Sequence, residues 1–138
     1  MTSQLSVEQA NAFLAAAFSS HDDRSRIIEM HENHAVSQLN VNESHLRPGG
    51  YVSGPTQMGM ADMVAYMAIM TRIGEQPMAV TSNLNINFLR PCIGNVVIAD
   101  GRLMKLGRSL AIVEVDVRIK GNDQPASHAI VTYALPKT

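Results

Sequence analysis

One cysteine, a net charge of −1 and no apolar run of membrane-spanning length mark this 138-residue sequence. Each absence excludes something. A solitary Cys92 rules out an internal disulfide framework and makes the cytoplasm the expected compartment. Eleven Lys and Arg against twelve Asp and Glu leave no electrostatic footprint for nucleic acid or an anionic membrane. The longest nearly continuous apolar run, Met58 to Met70, falls short of the ~20 residues that cross a bilayer. The opening "MTSQLSVEQANAF" lacks the basic stretch and apolar core of a secretory signal. Gly-rich phosphate loops and Ser nucleophile elbows are absent too. The expectation is one soluble, intracellular domain over residues 1–138.

What is present reads as alternating helix and strand. Ser6 and Gln9 have capping-box spacing, and Ala10, Phe13, Leu14 and Ala17 follow an amphipathic helical period. "HDDRS" breaks it. "RIIEMHE" and "HAVSQLNV" read as two short strands, and "NESHLRPGGYVSG" as a loop. Ser53 or Gly54 is placed to cap a second helix, with Pro55 in its first turn and Gly74 as its stop. That helix is apolar around most of its circumference, so it should be wrapped by other structure. In "VTSNLNINFL", Val80, Leu84, Ile86 and Phe88 share one parity, and Thr81, Asn83, Asn85 and Asn87 the other. "VVIADGRLMKL", the alternating run Ala111–Lys120 and "SHAIVTYAL" complete four antiparallel strands. The predicted class is α+β, with a long helix lying on one sheet.

Few residues are placed to carry chemistry. Asp62 is the one charged residue in the Met-rich helix, and burying a carboxylate there is costly unless it is hydrogen-bonded or functional. Alternatively, Asp62 lies on a narrow strip facing solvent or a partner. Tyr66, one turn on, is either its hydrogen-bond partner or core. The helix start "SGP" offers backbone N–H groups for a developing oxyanion, and Gly54 lets a carbonyl approach. Eight residues separate Gly54 from Asp62, roughly 12 Å along one helix, so the two meet at one substrate only if a symmetric dimer joins them. His31 and His34 form H-x-x-H, a spacing that sends side chains to opposite faces of a strand, so no metal site is expected. Cys92, beside Pro91, reads as a structural thiol. Arg90, Lys105 and Arg108 flank turns where they could meet phosphates or simply face solvent.

Together these segments resemble the hotdog-fold acyl-CoA thioesterases of the phenylacetate-pathway type. The resemblance rests on "LRPGGYVSG", "PTQMGMADMVAYM", "VTSNLNINFLRP" and "LMKLGRSLA", in that order and spacing. It implies a curved antiparallel sheet wrapped around a long central helix. Asp62 then matches the catalytic acid, Gly54 the oxyanion glycine, and Thr81 the Ser or Thr near the attacking water. Ser53 stands where the family usually has His, and Arg47 where it often has Asn. Arg47, Gln57, Tyr66, Arg90, Lys105 and Arg108 are the candidate substrate contacts. The resemblance further implies a homodimer or homotetramer with active sites between subunits, and no cofactor beyond the coenzyme A of the substrate. A non-catalytic acyl-CoA-binding module of the same fold is the alternative. A hydratase would need a His paired with the acid, and none of the five His residues is obviously placed for that.

Overall fold

The long helix α2, Gly54–Ile73, organises the molecule. Ser53 caps its start by accepting from the Thr56 N–H, and Pro55 sits in the first turn, where a missing donor costs least. Gly74, at φ 72°, ends it in a conformation that favours glycine. From Val64 to Thr71 every residue is buried, which a helix tolerates only when surrounded. The surroundings are a six-stranded antiparallel sheet of order β1-β2-β4-β5-β6-β3. Its strands are β1 (Arg26–His31), β2 (His34–Asn40), β3 (Val80–Phe88), β4 (Val96–Leu106), β5 (Leu110–Ile119) and β6 (Ser127–Ala134). One helix contacts all six strands, so the sheet curls around it. At Gly101 of β4 the approach is close: a Cβ there would lie 3.3 Å from the Val64 carbonyl oxygen.

The computed structural model describes residues 2–18 and 24–136. The expected order of elements holds, with strand ends differing by a residue or so. Of the predicted break at "HDDRS", residues 21–23 lie outside the described residues. Helix α1, Val7–Ala17, has both halves of the Ser6–Gln9 capping box. Ala10, Phe13 and Leu14 are buried, whereas Ala17 is exposed rather than part of the apolar face. The loop before α2 contains a 3-10 turn, Glu43–His45, and a single bridge between Leu46 and Val52.

Two expectations from periodicity are corrected. His31 and His34 do not point to opposite faces. Glu32 and Asn33 form a tight turn, with Asn33 at φ 69°, so the two His residues pair directly across the β1–β2 hairpin and their rings stack at 5.8 Å. A separation of three means opposite faces only along one strand. In β3, strict alternation is broken between Thr81 and Asn83, where the register to β6 shifts. Ser82 is the extra residue of a β-bulge, and it brings Thr81 to the same side as Leu84 and Ile86.

Candidate active site

Asp62 sits two turns into α2, half-buried, on the side that faces a cavity of about 560 Å³. Its carboxylate is anchored through one oxygen. The Thr81 hydroxyl donates to Oδ1 at 2.6 Å, and the Tyr133 hydroxyl donates to the same oxygen at 2.8 Å. Among the described residues Oδ2 has no hydrogen-bond partner. The site therefore holds a carboxylate by one oxygen and leaves the other available inside a cavity. Burial pushes the Tyr133 hydroxyl well above the ordinary tyrosine range; the Thr81 hydrogen bond works the other way, and the Asp62 charge adds to the rise. Tyr133 thus stays protonated at ordinary pH and acts as a standing donor.

The three side chains meet because of how each strand ends. Thr81 lies directly across from Tyr133 in the β3–β6 pairing, and only the bulge turns it inward. Tyr133 closes the inward row Ser127, Ala129, Val131, Tyr133 of β6, beneath α2. Its ring stacks on Tyr66 with centroids 5.3 Å apart. Tyr66 is consequently not the hydrogen-bond partner of Asp62: its hydroxyl donates to the Gln76 carbonyl at 2.6 Å, and burial raises its pKa. Tyr133 takes that place, and sequence reasoning passed over it. The signal was a hydroxyl at the end of an apolar inward row, which needs a partner once buried.

At the start of α2 the donors are nearly all claimed. Thr56 N–H goes to Ser53 Oγ and Gln57 N–H to the Ser53 carbonyl, while Pro55 has none. The Gly54 N–H remains without an acceptor among the described residues. Ser53 is spent on this cap, its hydroxyl also 2.9 Å from that of Thr56. The Phe88 ring lies against Gly54, where a Cβ would come within 3.3 Å of it.

The remaining candidates are dispersed. Gln57 is 4% exposed and lies outside the cavity wall, its amide donating to the Val52 carbonyl. Arg47 donates to the Pro48 carbonyl and lies over the Tyr51 ring. Arg90 donates to the Pro125 carbonyl. Lys105 and Arg108 are exposed, and none of these four cations lines the cavity with Asp62. Cys92 is buried, and its thiol is pushed up to about 11 by desolvation, so it is no thiolate nucleophile near neutrality. The cavity also takes in Leu14 of α1, Phe18 just after it, Arg24, and the buried His45, none of which composition or spacing had singled out for function.

A long helix held in a curled antiparallel sheet of six strands is the hotdog fold, and here it presents an anchored acid to an apolar cavity. The thioesterase superfamily profile matches residues 49–126, and the chain belongs to that family. The fold is similar to that of a Silicibacter sp. TM1040 protein named "putative thioesterase", at 30% identity and TM-score 0.87, covering 99% of this chain and 95% of that one. It is also similar to thioesterase superfamily member 2 of zebra fish, at 27% identity and TM-score 0.83, covering 96% of this chain and 100% of that one. A more distant likeness is smu.793 of Streptococcus mutans UA159, solved bound to acetyl CoA. It is 21% identical with TM-score 0.73, covering 86% of this chain and 94% of that one.

Proposed function

We propose that the protein hydrolyses an acyl-CoA thioester to the free acid and coenzyme A, at sites shared between two subunits. The observation that carries this reading is the anchored Asp62, fixed at Oδ1 by Thr81 and Tyr133 with Oδ2 open to the cavity. Oδ2 takes a proton from water as that water attacks the thioester carbonyl, or it attacks the carbonyl itself. Direct attack expels the CoA thiolate and leaves a mixed anhydride, which water then hydrolyses to the free acid and the regenerated carboxylate. The oxyanion is held by the unclaimed Gly54 N–H of the other subunit, backed by the α2 dipole. Collapse of the tetrahedral intermediate breaks the C–S bond, and the CoA thiolate leaves. Coenzyme A enters as part of the substrate, a reading supported by the distant relative solved bound to acetyl CoA. Arg47, Lys105 and Arg108 are exposed cations suited to its phosphates.

Support for the proposed dimer comes from β3. It is a sheet edge with Val80 57% and Phe88 50% exposed, an arrangement that invites a second strand. Replacing Asp62 by Asn should lower thiol release from a panel of acyl-CoAs by about 10²–10⁴-fold. Equal hydrolysis by wild type and variant would remove Asp62 from the mechanism. The alternative, a non-catalytic binding module, draws on Ser53, whose hydroxyl is committed to capping where the family usually has His. It predicts thermal stabilisation by acyl-CoAs without any thiol release.

A further inference from the structure

Gly59 occupies the interior of α2, one turn before Asp62. Its φ is not positive, so the backbone does not require glycine there. Packing does not require it either, because a Cβ would meet nothing within 4 Å. Glycine is also the poorest helix former after proline, so the position is filled against local preference. What Gly59 does do is line the cavity that holds the Asp62 carboxylate. Gly59 is exposed, so it stands at the open edge of that cavity, where a larger side chain has room to narrow it.

The cavity is built for an apolar group. Leu14 of α1 and its C-cap residue Phe18 form one wall, Leu39 of β2 another, and Met60 and Met63 of α2 a third. Its volume of about 560 Å³ falls within the ~300–1,000 Å³ typical of small-molecule pockets. Along α2 it runs from Tyr66 past Asp62 to Pro55. From Asp62 to Pro55 is roughly 10 Å of helix, which at about 1.2 Å per bond of extended chain holds about eight carbons.

Resting on the thioester reading above, we propose that this chamber takes the acyl group, that the substrate is a medium-chain acyl thioester rather than acetyl, and that Gly59 sets the permitted length. The acyl chain lies along α2 between α1 and the Met60–Met63 face, with its carbonyl at Asp62. Gly59 acts on specificity and not on the bond-breaking step.

The test has two arms. In the first, kcat/KM is measured for acetyl-, butyryl-, hexanoyl- and octanoyl-CoA. Each methylene buried in the chamber adds up to about fourfold, so the wild type should rise steeply toward octanoyl-CoA. Gly59→Leu should cut the octanoyl-to-acetyl ratio at least tenfold. A flat or acetyl-preferring wild type, or a ratio unmoved by Gly59→Leu, overturns the proposal while leaving thioester hydrolysis in place. In the second arm, binding of the same esters to Asp62→Asn protein is measured by calorimetry, with and without Gly59→Leu. Affinity rising with chain length only when Gly59 is present supports the chamber, even if wild type releases no thiol. Affinity independent of length sinks it. Should Gly59→Leu not fold, Phe18→Ala, at the exposed rim of α1, should instead extend the preferred chain length. No change in that variant overturns the assignment of the α1 wall.

Discussion

At the residue scale, the informative feature is that two neutral hydroxyls converge on one carboxylate oxygen. Hydrogen bonds to a charged group contribute more than neutral ones, about 1.5–3 kcal/mol each. Holding Oδ1 this way restrains the carboxylate of a cavity-lining residue and leaves Oδ2 unengaged among the described residues. Tyr133→Phe keeps the ring and its stack on Tyr66 and deletes only the donor. We expect kcat to fall about 10–100-fold with KM little changed, because the lost interaction acts on the base and not on bound substrate. Thr81→Ala should behave similarly. The double variant should lose less than the product of the two, since both donors hold the same atom. Independent losses that multiply fully would mean that the hydroxyls serve different steps. Asp62 and Thr81 were both legible in the sequence: the first as a lone charge in an apolar helix, the second through family spacing. Tyr133 was not, because a tyrosine on an inward strand face is ordinarily core, and its partner lies 71 positions away.

At the scale of elements, periodicity predicted the strands and helices well and the facing of particular side chains less well. The α2 boundaries were readable because Ser53, Pro55 and Gly74 each have a stereochemical reason to stand where they do. The β3 alternation was equally visible, yet it assigned Thr81 to the wrong side. A bulge is a property of a strand pair, set by the register to β6, and nothing within "VTSNLNINFL" announces it. The H-x-x-H pair failed for the same reason, since the turn between the two His residues decides their facing. If Ser82 is only the extra residue of the bulge, deleting it leaves Thr81 two positions from Leu84 and opposite Tyr133, so plain alternation keeps its side chain inward at Asp62. The expected result is activity well above that of Thr81→Ala, with the far-UV circular dichroism of wild type. A loss as large as that of Thr81→Ala would show that the bulge itself, and not only the side of the strand, positions the hydroxyl.

At the scale of the whole molecule, the proposed acid and the proposed oxyanion donor are too far apart on one helix to serve one thioester. Eight residues of α2 put Gly54 and Asp62 about 12 Å apart, while reacting groups must lie within about 3–3.5 Å of their target. A two-fold dimer resolves this, because the same surface patch on each chain then supplies both halves of two sites. Complementation tests the arrangement directly. Gly54→Pro removes the unclaimed N–H without opposing the helix. Proline suits the first helical position, and Ser53, at φ −70° and ψ 157°, already has the conformation a residue before proline prefers. The Phe88 ring it would crowd is half exposed and can move. Each variant alone, Gly54→Pro or Asp62→Asn, should be nearly inactive. After unfolding and refolding together at equal amounts, half the dimers pair one chain of each kind. In those dimers one site carries both defects and the other none, so about a quarter of wild-type activity should return. If acid and donor acted within one chain, every site in the mixture would carry a defect and nothing would return.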